Sequence, residues 1–579
     1  MDNTLRGDDD LERGDRINML EQALMRGQLD RRSFMKFAAA LGLSAHAAAA
    51  MAQKATAIDA NQAALASKLA SQYDYIVCGA GSSGCVVASR LSENPDVKVL
   101  LIEAGGSDQL ASIQDPGIWF TNLGTEREWG DKSLPQRHLN KRQLSLAMGK
   151  AVGGGSSINV MAYVRGHKND FDHWAAEAGD PAWNYEHVLT IYKRIENWQG
   201  APDPAYRGTG GNVWVQPANN PNPIAPAMVK AAAAVGIPSF ADHNGAMMEG
   251  PGGCAIANTS IKEGRRMNMA AHYLHPVMDR PNLTVLTQAE VQKLTLNGKR
   301  CTGVEFAWKG KKHVIKAAKE VILSTGALNS PKLLMLSGIG DEASLKRVGI
   351  RAVHHLPGVG QNFMDHILLG GCVWEYNKPE APRNNFAECT FFWKSDSRLA
   401  TPDLQPFQIE IPYTSEVTGK QFVMPQAAWS IAPGLVRPAS RGYVALQSSD
   451  PRDRLKIQAN FLSEPSDMRA LVRAVELCRE IGNAPEMREF AKREVMPGPL
   501  KGKDMENFIR NAAMTYWHQT GTCKMGRDRM AVVDNKLRVR GISNLRVADG
   551  SIMPRVTTGN TMAPCMIIGE RMAEILKQV

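Results

Sequence analysis

The chain has 579 residues, 44% of them hydrophobic, with 51 glycines and 31 prolines, which is the composition of a globular protein with room for two or more cores. No apolar run approaches the roughly 20 residues of a membrane span. The formal charge of +10 is not gathered into a basic run, which argues against nucleic acid as a partner and leaves peripheral contact with an anionic membrane face open. Nine scattered cysteines without a Cys-x-x-Cys pair suggest neither a disulfide framework nor a structural zinc site, and no metal is expected.

In chain order, residues 1–52 read as an export region. Asp30-Arg31-Arg32-Ser33-Phe34-Met35-Lys36 precedes a small, mildly apolar stretch from Phe37 to Ala50, similar to a twin-arginine signal, with Ala50-Met51-Ala52 offering a cleavage site. The expected location is therefore the periplasm. An unused signal or an exposed amphipathic helix is the alternative, and would leave the protein in the cytoplasm. A polar, alanine-rich linker over 53–72 follows.

The first structured unit predicted is a strand over Tyr73 to Cys78, a turn Gly79-Ala80-Gly81-Ser82-Ser83-Gly84, and a helix carrying Val86, Val87 and Leu91 at helical spacing. A second strand, Val97 to Ile102, ends at Glu103, 19 residues beyond Gly84. In this order the glycines have separate tasks: Gly79 allows the tight turn, Gly81 lets the backbone approach a pyrophosphate at the helix N-terminus, and Gly84 lets helix and strand pack closely. Ser82 and Ser83 sit in the same turn, and Glu103 can accept from a ribose 2′-hydroxyl, which disfavours NADP. On this motif alone FAD and NAD both remain open.

Further along, Gly153 to Ser156 are four small residues that let the chain pass a flat ring or a phosphate without a side-chain clash; a glycine-rich surface loop is the alternative. Glu320 to Gly326 reads as another strand running into a glycine turn. Ser330-Pro331 reads as the N-cap and first position of a core helix carrying Leu333, Leu334 and Leu336, to which no chemistry is assigned. Alternation such as Phe407-Gln408-Ile409-Glu410-Ile411 predicts a mostly antiparallel sheet from the later part of the chain. The fold class expected is α+β, with an α/β, Rossmann-like cofactor domain built from 73–170, 265–370 and 505–579. It is interleaved with a substrate domain of sheet and helices from 171–264 and 371–504.

Several longer blocks resemble the glucose-methanol-choline (GMC) flavoprotein oxidoreductases: Gly149 through Asn159 followed by Tyr163 and Gly166, Gly326 through Gly340, Leu356 through Asn362 with Asp365-His366, Val547 through Pro554, and His518-x-x-Gly521-Thr522-Cys523-x-Met525-Gly526. The likeness runs from about Tyr73 to the C-terminus. It implies FAD as cofactor and extends the cofactor site to Gly149, Val152, Gly153, Gly154, Ser156, Asn159, Val160, Met161, Ala162, Val291, Asp549, Gly550, Thr561 and Met562. Ile158 stands where some relatives carry a histidine bonded to the flavin, which implies non-covalent FAD. Gln519 stands where many relatives have proline.

The same resemblance implies that His518 and Asn560 form the catalytic pair, although a lone histidine is more often structural and Asn560 after Gly559 would also serve a turn. Oxidising an alcohol removes a hydroxyl proton and a hydride from one carbon. Imidazole, with a pKa near 6.5, can take the proton, and a non-titrating amide can hold the oxygen. The activity expected is oxidation of a primary alcohol to the aldehyde, with electrons passed to a quinone, a cytochrome or another acceptor. The alternatives are a choline dehydrogenase or an oxygen-using oxidase of the same family and, remotely, a hydroxynitrile lyase. Glu388 is a candidate contact for a choline-like cation beside Phe391, Phe392 and Trp393; core aromatics of a sheet edge are the competing explanation.

Overall fold

The computed structural model describes residues 57–577, so the export region expected over 1–52 lies outside the described residues. Residues 57–67 are helical rather than an open linker. The side-chain amides of Asn61 and Gln62 hold this helix against the main-chain carbonyls of Met278, Arg280 and Leu283.

The element order is β1 (Gln72–Cys78), α1 (Ser82–Leu91), β2 (Val99–Ile102), β3 (Leu283–Leu286), β4 (Ala289–Asn297), β5 (Arg300–Trp308), β6 (Lys311–Leu323), α2 (Gly326–Leu336), β7 (Leu545–Val547) and α3 (Met562–Lys577), with other elements between them. These strands form a seven-stranded sheet in the order β4-β5-β6-β1-β2-β3, with β7 on the free flank of β6. The 13-residue β6 has two jobs. Its first half pairs antiparallel with β5 as a hairpin with one face buried, and its buried end, Val321 to Leu323, runs parallel between β1 and β7. Parallel strands covered on both faces need unbroken apolar runs, and Val99 to Ile102 and Leu283 to Leu286 are buried at every position.

The C-terminal helix α3 lies on α1. The two backbones meet so closely that a Cβ on Gly569 would fall 2.7 Å from Val86 Cβ, and the Ser83 hydroxyl donates to the Cys565 carbonyl at 2.7 Å. A second sheet of six strands follows the order Ala491–Met496, Cys372–Tyr376, Ala428–Ala432, Phe407–Ile409, Cys389–Phe392, Gly253–Ile256. Every pairing in it is antiparallel. The fold is thus mixed α and β, as expected. All nine cysteines are free, and eight of them are buried. No helix among the described residues is long and apolar enough to cross a membrane.

The helix read as starting at Ser330-Pro331 instead starts at Gly326, with Pro331 inside it. Proline has no N–H to give the carbonyl four residues back. That carbonyl, on Ala327, takes the Thr522 hydroxyl instead. The exception thereby ties α2 to the segment that carries His518.

Candidate active site

A cavity of about 490 Å3 runs from the glycine turn after β1 to a wall of the second sheet. At the turn, Gly79 has φ +95°, and its absent Cβ would meet the Ser324 carbonyl oxygen at 2.5 Å. Gly84 fits against the same turn: a Cβ there would lie 1.9 Å from the Gly79 oxygen. Gly81 is different, since a Cβ on it meets nothing nearer than 3.8 Å and the residue opens on the cavity. It is also the N-cap of α1, and no side chain caps that helix. A helix N-terminus left uncapped at a cavity wall, with glycine on the approach, is an anion cradle.

A second glycine turn crosses the first. Gly153 N–H donates to the Ala80 carbonyl at 2.8 Å, and a Cβ on Gly154 would lie 2.7 Å from Gly81 Cα. Glu103 lines the cavity with one oxygen on Ala80 N–H at 2.8 Å and the other on Gly105 N–H at 2.7 Å. Burial raises its pKa, opposed by those amides and by Lys150. Asp549 takes Gly326 N–H at 2.9 Å and Ser551 N–H at 2.8 Å, which joins the ends of β6 and β7 at the cavity.

Gly79, Gly81, Ser82, Ser83, Glu103, Gly149, Gly154, Ser156, Asn159, Val160, Ala162, Val291, Asp549, Gly550, Thr561 and Met562 all line this one cavity. Gly84, Val152, Gly153 and Met161 do not; they shape the turns from behind. Sequence reasoning missed Arg266, which is fully buried and donates to the carbonyls of Ile113 and Ser156 and to Asn159 Oδ1, holding the second turn in place. Desolvation without a carboxylate partner lowers its pKa to about 9.

His518 and Asn560 line the same cavity, and Asn560 Nδ2 lies 3.3 Å from His518 Nε2. Pairing of Ile367 with Thr515 brings the Asp365-His366 pair beside the His518 segment. Asp365 accepts the main-chain N–H of His518 at 2.8 Å and the hydroxyl of Thr515, and its burial pushes the carboxyl up to about 7. The Tyr516 ring stacks on the imidazole with centroids 5.2 Å apart. His366 Nδ1 lies 2.9 Å from His518 Nδ1. Burial lowers the pKa of His518 to about 3, so the resting ring is neutral, with one bare nitrogen.

The opposite wall is apolar: Ala387, Phe407, Ile409, Ile411, Leu368 and Tyr516. Carboxylates in the lining are confined to Glu103, Glu290 and Asp549, all on the strands or strand ends of the first sheet. Trp517 Nε1 and Thr520 Oγ1 belong to the lining but have no protein partner. With the crossed glycine turns and the uncapped helix, these orphaned donors suit a bound group that carries a phosphate at one end and a polar ring at the other.

Glu388 does not reach the cavity. It is fully buried, takes Asn222 N–H and the Asn384 side chain, and neighbours Glu410. Phe391 and Phe392 are core residues on a strand one place in from the sheet edge, so the cation contact considered for Glu388 is set aside. Burial and the adjacent Glu388 push Glu410 up to about 8, against about 4.3 for an unfolded glutamate. Between those values the folded state keeps a proton that the unfolded chain has lost, so this pair makes stability fall as pH rises through that window. Thermal melts between about pH 5 and 8 should show a shallower decline for Glu388→Gln than for the wild type. Equal slopes would contradict the pairing.

The chain matches the GMC oxidoreductase family over residues 73–368 and 438–569, the family's N- and C-terminal parts. It is 38% identical over 533 residues to an alcohol dehydrogenase [acceptor] of Pseudomonas putida, covering 87% of this chain and 95% of the relative. It is 36% identical over 536 residues to an oxygen-dependent choline dehydrogenase of Citrobacter koseri, covering 87% and 95%. Among solved structures, pyridoxine 4-oxidase from Mesorbium loti superposes with a TM-score of 0.84 at 33% identity, over 88% of this chain and 99% of that one. The chain belongs to the GMC oxidoreductases, which use FAD.

Proposed function

We propose that this enzyme oxidises an uncharged primary alcohol to the aldehyde and passes the electrons to a quinone- or cytochrome-type acceptor rather than to oxygen. The observation that carries the reading is the neutral His518 imidazole, buried against Asn560 in a cavity that joins the glycine turns to an apolar wall. The crossed turns, Glu103 and the N-terminus of α1 would hold FAD, which when bound supplies the hydride acceptor. His518 Nε2 takes the hydroxyl proton, and Asn560 holds the alcohol oxygen by hydrogen bonding so that its carbon is presented in one orientation. The apolar wall excludes water and binds the carbon chain. Ile158, a cavity residue with no atom able to bond a flavin, supports non-covalent binding.

Choline is disfavoured because no carboxylate from the second sheet faces the cavity. The acceptor assignment rests on the export region expected around Arg31-Arg32, since the Pseudomonas putida relative is named for an unspecified acceptor. An anaerobic screen that follows bleaching of the flavin should rank uncharged primary alcohols above choline. Air should then reoxidise the reduced enzyme more slowly than a quinone analogue, and acid precipitation should release the flavin. Faster bleaching with choline, faster reoxidation by air, or flavin left in the pellet would each overturn the corresponding part.

A further inference from the structure

The base proposed at His518 sits in a buried chain of four side chains, and the Gln405 end sets the direction of the hydrogen bonds between them. Gln405 Nε2 donates to Asn560 Oδ1 at 3.1 Å. Asn560 Nδ2 faces His518 Nε2 at 3.3 Å, and His518 Nδ1 faces His366 Nδ1 at 2.9 Å. Gln405 and His366 are fully buried. Nε2 of His366 is buried and has no hydrogen-bond partner among the described residues.

Burial lowers the pKa of both imidazoles, so each is neutral, with one N–H and one bare nitrogen. The amide of Gln405 occupies Asn560 Oδ1 and turns the Asn560 NH2 group toward His518 Nε2, so Nε2 is bare and the ring hydrogen of His518 sits on Nδ1. Across the 2.9 Å contact His518 then donates through Nδ1–H to His366 Nδ1. The opposite tautomer would set an N–H of His518 against the Asn560 NH2 group.

We propose that Gln405 and His366 are positioning residues that lock His518 in its Nδ1–H tautomer and so make Nε2 the basic atom. The inference rests on His518 being the base. In the step itself the substrate O–H bond breaks and an Nε2–H bond forms. The resulting imidazolium keeps its Nδ1–H on the bare nitrogen of His366, which stabilises the new positive charge.

The test compares His366→Leu, which removes the acceptor, with His366→Asn, which restores an acceptor oxygen near the position of Nδ1. With FAD content and melting temperature near wild type, His366→Leu should slow the limiting rate of flavin reduction at least about tenfold, toward the ~10⁴ that a wrong imidazole tautomer costs a catalytic triad. The substrate dissociation constant should stay within about threefold if the effect is on chemistry and not on binding. His366→Asn should recover most of the rate. Should His366→Leu fail to fold, Gln405→Met removes the anchor at the other end and should show the same split between rate and binding. ¹⁵N spectra of histidine-labelled protein should show His518 protonated at Nδ1 and bare at Nε2. A wild-type rate in His366→Leu (or in Gln405→Met, where that is the variant that folds), no recovery in the asparagine variant, or the Nε2–H form in the spectrum would overturn the inference. His518→Ala separates the two readings: if it is slow while His366→Leu is not, only the relay fails, and if it is as fast as wild type the base itself is wrong.

Discussion

His518→Ala is expected to keep its flavin and to be reduced by alcohol about 10²–10⁴-fold more slowly than wild type, the usual cost of losing a general base. That range corresponds to about 3–5 kcal/mol of transition-state stabilisation. Retention follows from position. The imidazole contacts Tyr516, His366 and Asn560, and none of these belongs to the glycine turns. Its main-chain N–H is held by Asp365 whatever the side chain is, so the segment keeps its course. Anaerobic stopped-flow reduction reads the rate, and the flavin-to-protein absorbance ratio reads retention. A variant that is reduced at the wild-type rate would make the segment around Gly521 structural and remove the base from the mechanism.

What could be read from the sequence was local. The strand, glycine turn and helix from Gln72 to Leu91 fall within 20 residues, and within them Gly84 answers to Gly79, although Gly79 itself answers to Ser324 just past the end of β6. The alternation at Phe407 likewise found a strand of the second sheet. What could not be read depends on partners far along the chain. The start of α2 is not legible locally, because the carbonyl that Pro331 leaves without a donor is satisfied by Thr522, 195 positions away. The helix over 57–67 reads as a polar linker in sequence because its polar face is satisfied by carbonyls more than 200 positions distant. His366 was visible only as part of a family block, and Gln405 was not visible at all, since their roles exist only once residues 366, 405, 518 and 560 meet. Glu388 shows the converse: its neighbours are aromatic in sequence, whereas in space it takes Asn222 N–H and lies beside Glu410.

Gly81→Ala and Gly84→Ala are expected to part company, although three positions separate them in one turn. A methyl on Gly84 would sit 1.9 Å from the Gly79 oxygen, 3.0 Å from its carbonyl carbon and 3.2 Å from Ser324 Cβ. None of these can yield cheaply, because Gly79 N–H is bonded to the Ile102 carbonyl and Ser324 N–H to the Cys78 carbonyl, each at 2.8 Å. Helix α1 must therefore move off the sheet, which costs about 1–3 kcal/mol by the usual scale of overpacking and tilts the helix N-terminus away from the cavity. Gly84→Ala should lower the melting temperature of the FAD-free protein and also lose flavin. A methyl on Gly81 meets nothing in the protein nearer than 3.8 Å, and φ there is −79°, so the FAD-free protein should melt as wild type does. Its methyl would instead occupy the space through which a pyrophosphate approaches the backbone. Flavin titration of the two FAD-free proteins, beside their melts, checks the pair. Wild-type FAD affinity in Gly81→Ala would mean that the pyrophosphate does not pass there, and an unchanged melt in Gly84→Ala would mean that α1 and β1 are not packed as closely as the turn requires.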